Sequence, residues 1–238
     1  MSTLKANIQI EGQDVFSTSS TATTDIGAFA TTGDGRGFRY ALAGATTLVP
    51  GKLQQASAED TTNLQNLTTA VASVGATSMT TTSTVTLAAN ALAGGFLTVV
   101  SASTGAGYTY KVKGNTAATA AAVTIYLEDP VLVATTGTVK IDLIPNPYAA
   151  VIVNPATASS APVGVAVYAV TNAQYGWVQT HGPVSVLADG AVTVGTALAA
   201  SNAVAGAVEP LAGVQAAVGV ALTGIATTDY GFVFLQVD

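Results

Sequence analysis

Few residues in this 238-residue chain are of types that do chemistry. His181 is the only histidine, and the absence of cysteine removes thiolate nucleophiles, disulfides and Cys-ligated metals. His181 stands between Thr180 and Gly182-Pro183, at an expected strand end. A general base needs an orienting partner and a nucleophile within hydrogen-bond reach, and the sequence around His181 fixes neither. Two adjacent carboxylate pairs, Glu59-Asp60 and Glu128-Asp129, raise the question of acid–base work. Neighbours on a strand point to opposite faces, so Glu128 and Asp129 would not converge on one substrate. A glycosidase would also need sugar-stacking aromatics beside its carboxylates, and the chain has a single Trp. Gly33-Asp-Gly-Arg-Gly37 has the glycines of a phosphate loop but no preceding apolar strand, no P-loop lysine and no following helix. It reads instead as a flexible hinge with a turn at Asp34-Gly35. No catalytic residue, cofactor site or metal site is assigned, and an enzyme is the class least expected.

Composition narrows the remaining classes. Charged residues are 8% of the chain, against about 25% in an ordinary soluble domain. Hydrophobic types reach 49% while aromatics are 6%, and 45 Ala, 36 Thr and 24 Gly dominate. Disorder is excluded because it needs low hydrophobicity and high charge. Nucleic acid is not an expected partner, because seven scattered basic residues and a net charge of −6 cannot neutralise a phosphate backbone. A membrane is not expected either: the most apolar runs, Val163–Val170 and Val214–Leu222, are about half of what a spanning helix needs. The first eleven residues carry no apolar run of the secretory kind.

The elements that would position any site are strands. Tyr108, Tyr110 and Val112 alternate with Thr109, Lys111 and Lys113; Val123, Ile125 and Leu127 alternate with Thr124, Tyr126 and Glu128; Val139, Ile141 and Leu143 alternate with Lys140 and Asp142. Three such runs predict an antiparallel sheet with one wet face carrying Lys111, Lys113, Glu128, Lys140 and Asp142. Opposite charges across neighbouring strands there would set register. Leu64, Leu67, Val71 and Val74 have helical spacing, but the surrounding threonines favour a strand from about Leu67. Ile144-Pro-Asn-Pro-Tyr148 breaks the pattern and marks a boundary.

The C-terminal region repeats itself. Val163-Gly-Val-Ala166 recurs as Val218-Gly-Val-Ala221, and Tyr175-Gly-Trp-Val178 as Tyr230-Gly-Phe-Val233, both at an offset of 55 residues. Each copy reads strand, turn, strand, with Gly176 and Gly231 at matching places where backbone approaches closely. A further hairpin is expected over Val184–Val194 around Asp189-Gly190. The expected fold is therefore all-β: a small antiparallel β-barrel or sandwich with an inserted antiparallel β-sheet domain and an extended N-terminal arm. The parts are 1–36 as arm, 37–75 as the first part of the barrel, 76–145 as the inserted sheet and 146–238 as the remainder with the hairpin repeat. Residues 143–188 hold no formal charge, and there subunits are expected to meet. The candidate interface residues are Tyr148, Tyr168, Tyr175, Trp177, Tyr230 and Phe232.

The segment Gly35–Gln54, the ending Val218–Val233 and the Gly-, Ala- and Thr-rich texture resemble small virion proteins of tailed bacteriophages. That resemblance implies a capsid decoration or head-associated protein, β-rich and often trimeric, with no catalytic residues to carry over. The expectation is a structural virion protein that coats and cements a phage head, made in the host cytoplasm and placed on the capsid surface. Its partners would be the major capsid protein and itself, as a homotrimer, with the arm bridging neighbours. The alternatives are a tail, fibre or extracellular-filament subunit assembling by strand exchange, and a carbohydrate-binding adhesive module using Tyr108, Tyr110 and Tyr126.

Overall fold

Alternation and β-branched residues make strand the dominant element, 43% against 1% helix, and glycine- and proline-rich turns cut it into short pieces. The computed structural model describes residues 8–12, 14–213 and 215–238. Among them the strands are β1 (Ile8–Gln9), β2 (Phe29–Thr31), β3 (Gly37–Leu42), β4 (Leu53–Gln55), β5 (Leu67–Thr69), β6 (Ser78–Thr80), β7 (Val85–Leu87), β8 (Phe96–Ser101), β9 (Thr109–Asn115) and β10 (Ala118–Ala121). They continue with β11 (Thr124–Leu127), β12 (Val139–Ile144), β13 (Ile152–Val153), β14 (Pro162–Ala166), β15 (Tyr175–Leu187), β16 (Ala197–Ala200), β17 (Val208–Pro210), β18 (Ala217–Ala221) and β19 (Tyr230–Gln236). A single 3-10 turn covers Asp14–Phe16. The fold is all-β, its antiparallel sheets forming a half-barrel and a nearly closed barrel.

The chain divides into two units, Met1–Ala58 with Pro147–Asp238, and Glu59–Asn146. In the inserted unit six strands run in the order β5-β12-β8-β9-β11-β6. The ends of that sheet come together: Thr69 bridges Thr81, the Thr82 N–H donates to the Thr68 carbonyl at 2.7 Å, and the Thr69 hydroxyl donates to the Thr80 carbonyl at 2.7 Å. Near-closure leaves little unpaired edge to recruit other chains. Inside lie Val112, Ile125, Leu127, Val139, Ile141 and Leu143, apolar members of the three alternating runs, together with Leu97 and Val99 of β8. Lys111 and Lys113 are exposed outside, as the period-2 pattern requires.

The other unit is an internal duplication. In the first copy β3 pairs the N-terminal half of β15, which pairs β14, which pairs β4, which pairs β13. In the second, the C-terminal half of β15 pairs β19, then β18, β16 and β17 follow. Register is reproduced residue by residue: Ala166↔Val178 recurs as Ala221↔Val233, and Gln54↔Gly164 as Leu198↔Gly219. The cores match too. Ala41, Ala43, Leu48, Val151, Val163, Ala166, Val170 and Val178 have as counterparts Val186, Ala188, Val192, Val208, Val218, Ala221, Ile225 and Val233. β15 serves both copies, ending one and opening the other. A Cβ on Gly176 would lie 2.6 Å from Val170, and one on Gly231 2.5 Å from Ile225, so both glycines let the equivalent side chain cross the strand.

Duplication explains where the insert sits. Eight residues of the first unit (56–58 and 147–151) and the whole 59–146 segment separate β4 from β13, whereas seven (201–207) join β16 to β17.

Several expectations change. The inserted unit begins at Glu59 rather than 76, because Leu64, Leu67 and Ala72 contribute to its core; residues 59–75 therefore leave the 37–75 segment. Its far boundary falls after Asn146, within Ile144–Tyr148. The 1–36 segment is not a free arm over its described part: β2 pairs β3, and Val15 and Ala30 are fully buried. Residues 1–7 and 13 of that segment lie outside the described residues, as does Val214 of the apolar run 214–222. Gly33–Gly37 is a tight β2–β3 turn rather than a hinge, with the Thr32 hydroxyl donating to Asp34 and Arg36 Nε 2.8 Å from Asp34 Oδ2. No hairpin closes over 184–194, because Val192 bridges Ile225 instead. Of the wet-face charges, Lys140 stands opposite Ser101 and Thr68 and Asp142 opposite Thr98, because β12 lies beside β8 and β5, whereas Glu128 follows β11 opposite Lys111, its N–H donating to the Lys111 carbonyl at 2.9 Å.

Candidate functional site

The first copy shows what its aromatic face requires. Tyr175 and Trp177 emerge from β15 beside Tyr40 of β3, whose ring stacks on Tyr175 at 5.8 Å and meets Trp177 edge-on at 5.1 Å. The segment before β2 then covers this group. Val15 and Ala30 join its core, Ser19 exchanges backbone hydrogen bonds with Tyr175 at 3.0 and 2.8 Å, and Thr23 donates to the Tyr40 hydroxyl from its N–H (3.1 Å) and Oγ1 (3.0 Å). Trp177 is consequently only 7% exposed. It is a core residue of its own chain, not a free subunit contact, and Tyr175 is half-buried with it.

The second copy lacks this cover. Tyr230 and Phe232, register equivalents of Tyr175 and Trp177, are 50% and 56% exposed. Opposite Phe232 stands Ser185, where the first copy has Tyr40 opposite Trp177. A groove of about 460 Å³ results, walled by Phe16, Val167, Pro183, Ser185, Tyr230 and Phe232. Tyr168 stands exposed close by, its ring edge-on to Phe16 at 6.4 Å. Of the six expected interface residues, Tyr168, Tyr230 and Phe232 are thus surface aromatics, while Trp177, Tyr175 and Tyr148 are wholly or partly inside. Phe16 and Ser185 escaped notice in the sequence. Ser185 is the counterpart of Tyr40 at an offset of 145 residues, which the 55-residue repeat does not give and the pairing of β15 with β3 and β19 does.

His181 lies in a separate pocket with Phe29, Arg39 and Asp238. Its imidazole packs edge-on to Phe234 at 5.2 Å. The nearby carboxylate is engaged: Arg39 donates from Nε to Asp238 Oδ2 at 2.6 Å and from Nη2 to Oδ1 at 3.0 Å, with the guanidinium 4.9 Å from the Phe29 ring centroid. The Asp238 hydrogen bond raises the Arg39 pKa. Tyr148, 5.9 Å from the guanidinium, has its phenol pushed up to about 12 by burial, then by Asp238, with Arg39 opposing. This corner fastens the end of the described chain to β3.

The carboxylate pairs do structural work. Asp60 accepts the Asn63 N–H at 2.9 Å and the Thr62 N–H at 3.1 Å; these bonds, the Asn63 ones foremost, lower its pKa. Glu59 accepts from the Gln65 amide. Glu128 and Asp129 are exposed in the bend after β11. Among the described residues no group of three or more His, Asp or Glu is placed to hold a metal ion, and no helix is long and apolar enough to cross a membrane.

On the inserted barrel, Tyr126 is 42% exposed at a cleft of about 500 Å³ with Thr77, Asn90, Lys113 and Glu128. Tyr108 is also exposed, but Tyr110 is buried, its hydroxyl accepting the Leu132 N–H at 3.3 Å. The three tyrosines therefore form no common platform. Comparison of the chain with protein-family models, with curated proteins and with solved structures gives no match.

Proposed function

We propose that this chain is a structural virion protein, a decoration or cement protein that binds the major capsid protein of a tailed-phage head, made in the host cytoplasm and acting on the capsid surface. The observation that carries the reading is the exposed aromatic face formed by Tyr230 and Phe232 of the second copy with Phe16 and Tyr168, an assembly surface suited to a protein that coats a particle in many contacting copies. A face of Phe16, Tyr168, Tyr230 and Phe232 loses little hydration energy when covered, and exposed aromatics of this kind anchor protein contacts. The resemblance of Gly35–Gln54 and Val218–Val233 to phage head proteins supports the choice of particle. The described part of 1–36 is engaged in its own chain, so bridging falls to the folded surface rather than to an arm.

Strand exchange, on which a filament subunit would rely, is opposed at two places. The inserted barrel is nearly closed on itself, and the edge of β15 beyond His181 carries Pro183, whose carbonyl already accepts from Gln179 Nε2 at 2.9 Å. The test compares heads assembled with and without the chain. Heads carrying it are expected to survive heating that ruptures bare heads, and equal rupture temperatures would overturn the proposal. A glycan-binding role for the inserted barrel rests on Tyr126 with its polar neighbours; a glycan screen in which Tyr126→Ala abolishes a signal would support it, and a blank screen would remove it.

A further inference from the structure

Resting on the structural reading above, we infer that the groove at Ser185, Tyr230 and Phe232 is the docking site for a second copy of this chain, which places an aromatic ring where Tyr40 stands in the first copy. The chain itself shows how this face is completed. In the first copy the pair Tyr175 and Trp177 is closed from two sides, by the Tyr40 ring across the strand and by Val15, Ser19 and Ala30 over it. In the second copy the same register holds Tyr230 and Phe232, but Ser185 replaces the ring; Gly51 lies against the Tyr230 ring, and among the described residues no segment covers Phe232, 56% exposed, as Val15, Ser19 and Ala30 cover Trp177. The same strand geometry with one side chain missing is a notch of aromatic shape.

A second copy is the occupant that the observations favour, for two reasons. The complementary chemistry, an uncharged segment with an aromatic ring, is present in this chain, which already supplies it once. The lining also holds no carboxylate, so the contact adds no local like-charge pair of acids to the repulsion between two chains of net charge −6. Arg36 is the charged residue lining the groove, and it is paired with Asp34 at 2.8 Å. Tyr230 and Phe232 protrude beside the notch, so one surface carries both a knob and a hole and can be self-complementary.

The experiment is sedimentation velocity of the full chain over a range of concentrations, with thermal unfolding to confirm folding. Ser185→Tyr restores in the second copy the ring that the first possesses. Wild type is expected to self-associate, and Ser185→Tyr to weaken association at least about tenfold while unfolding no earlier than wild type. Phe232→Lys, at an exposed position, should weaken association similarly and serves if Ser185→Tyr fails to fold. Ser185→Ala should associate as wild type does. A monomeric wild type, or folded Ser185→Tyr and Phe232→Lys variants that associate undiminished, would overturn the inference. Head binding measured in parallel separates the two claims: a monomeric chain that still coats heads refutes the self-contact alone, whereas a self-associating chain that ignores heads supports the contact and refutes the virion role.

Discussion

Joining Ala58 directly to Pro147 should leave a folded protein. The excision removes the whole inserted barrel, whose core residues all lie within 59–146 and are distinct from those of the duplicated unit. It leaves eight residues (56–58 and 147–151) between Gln55 and its partner Ile152, where the second copy uses nine (200–208) between the matching pair Ala199 and Glu209. Treating the insert as flexible chain gives an upper limit on the gain. Shortening the closed loop roughly twelvefold is worth about 2 kcal/mol in closure entropy, and less for a folded insert whose ends are already fixed. For a domain of this size that is an increase of up to about 8 °C in the unfolding midpoint. Circular dichroism during thermal unfolding is the assay, with the isolated 59–146 segment run alongside. Two cooperative transitions, the excised protein melting no earlier than the same unit in the full chain, are expected. An excised protein without a cooperative transition, or one melting more than about 5 °C earlier, would refute the separation of cores and the equivalence of the two connections.

Further outcomes follow from individual contacts. Gly176→Ala and Gly231→Ala should each destabilise by about 1–3 kcal/mol, because each Cβ strikes an equivalent crossing side chain, and Val170→Ala should rescue the first but not the second in denaturant titrations. Tyr148 keeps its proton up to about pH 12, above the ordinary value of 10. Its contribution to stability is therefore complete below pH 10 and is lost as pH rises through 12, so Tyr148→Phe should flatten the alkaline limb of a stability–pH curve over that window. Asp238→Asn should cost about 0.5–1 kcal/mol at low salt by weakening the two-point contact with Arg39, with a smaller difference at high salt.

Sequence legibility followed the physics of each element. Strands β9, β11 and β12 could be read because a half-buried strand alternates its side chains, and Val139, Ile141 and Leu143 turned inward as that period demands. Half of the duplication was visible because Tyr-Gly-aromatic-Val contains aromatics, which are scarce here, at a fixed spacing after Val-Gly-Val-Ala in both copies. The other half, Leu48–Ser57 against Val192–Ser201, was not, since its matched core pair is Leu with Val and only Gly51 with Gly195, Ala56 with Ala200 and Ser57 with Ser201 are identical. The 59–146 insertion also interrupts the first copy. Barrel closure was hidden because it depends on backbone and hydroxyl bonds of Thr68 and Thr69 to 80–82, and threonine is everywhere in this chain. The burial of Trp177 was misjudged for a related reason. The segment covering it, with Ser17–Thr24 at its centre, has no apolar period, yet Val15, Ser19, Thr23 and Ala30 suffice to dock it. The groove was missed because it is defined by a residue that is small where its counterpart is large, which only the register of β15 against β3 and β19 reveals.

Electron cryomicroscopy of purified particles decides whether this chain coats a virus particle through the aromatic face of Phe16, Tyr168, Tyr230 and Phe232. Density for the duplicated sheet is expected at fixed symmetric positions on the head, with Phe16, Tyr168, Tyr230 and Phe232 buried in contacts. Heads devoid of that density, or density in which these four side chains face solvent, would contradict it.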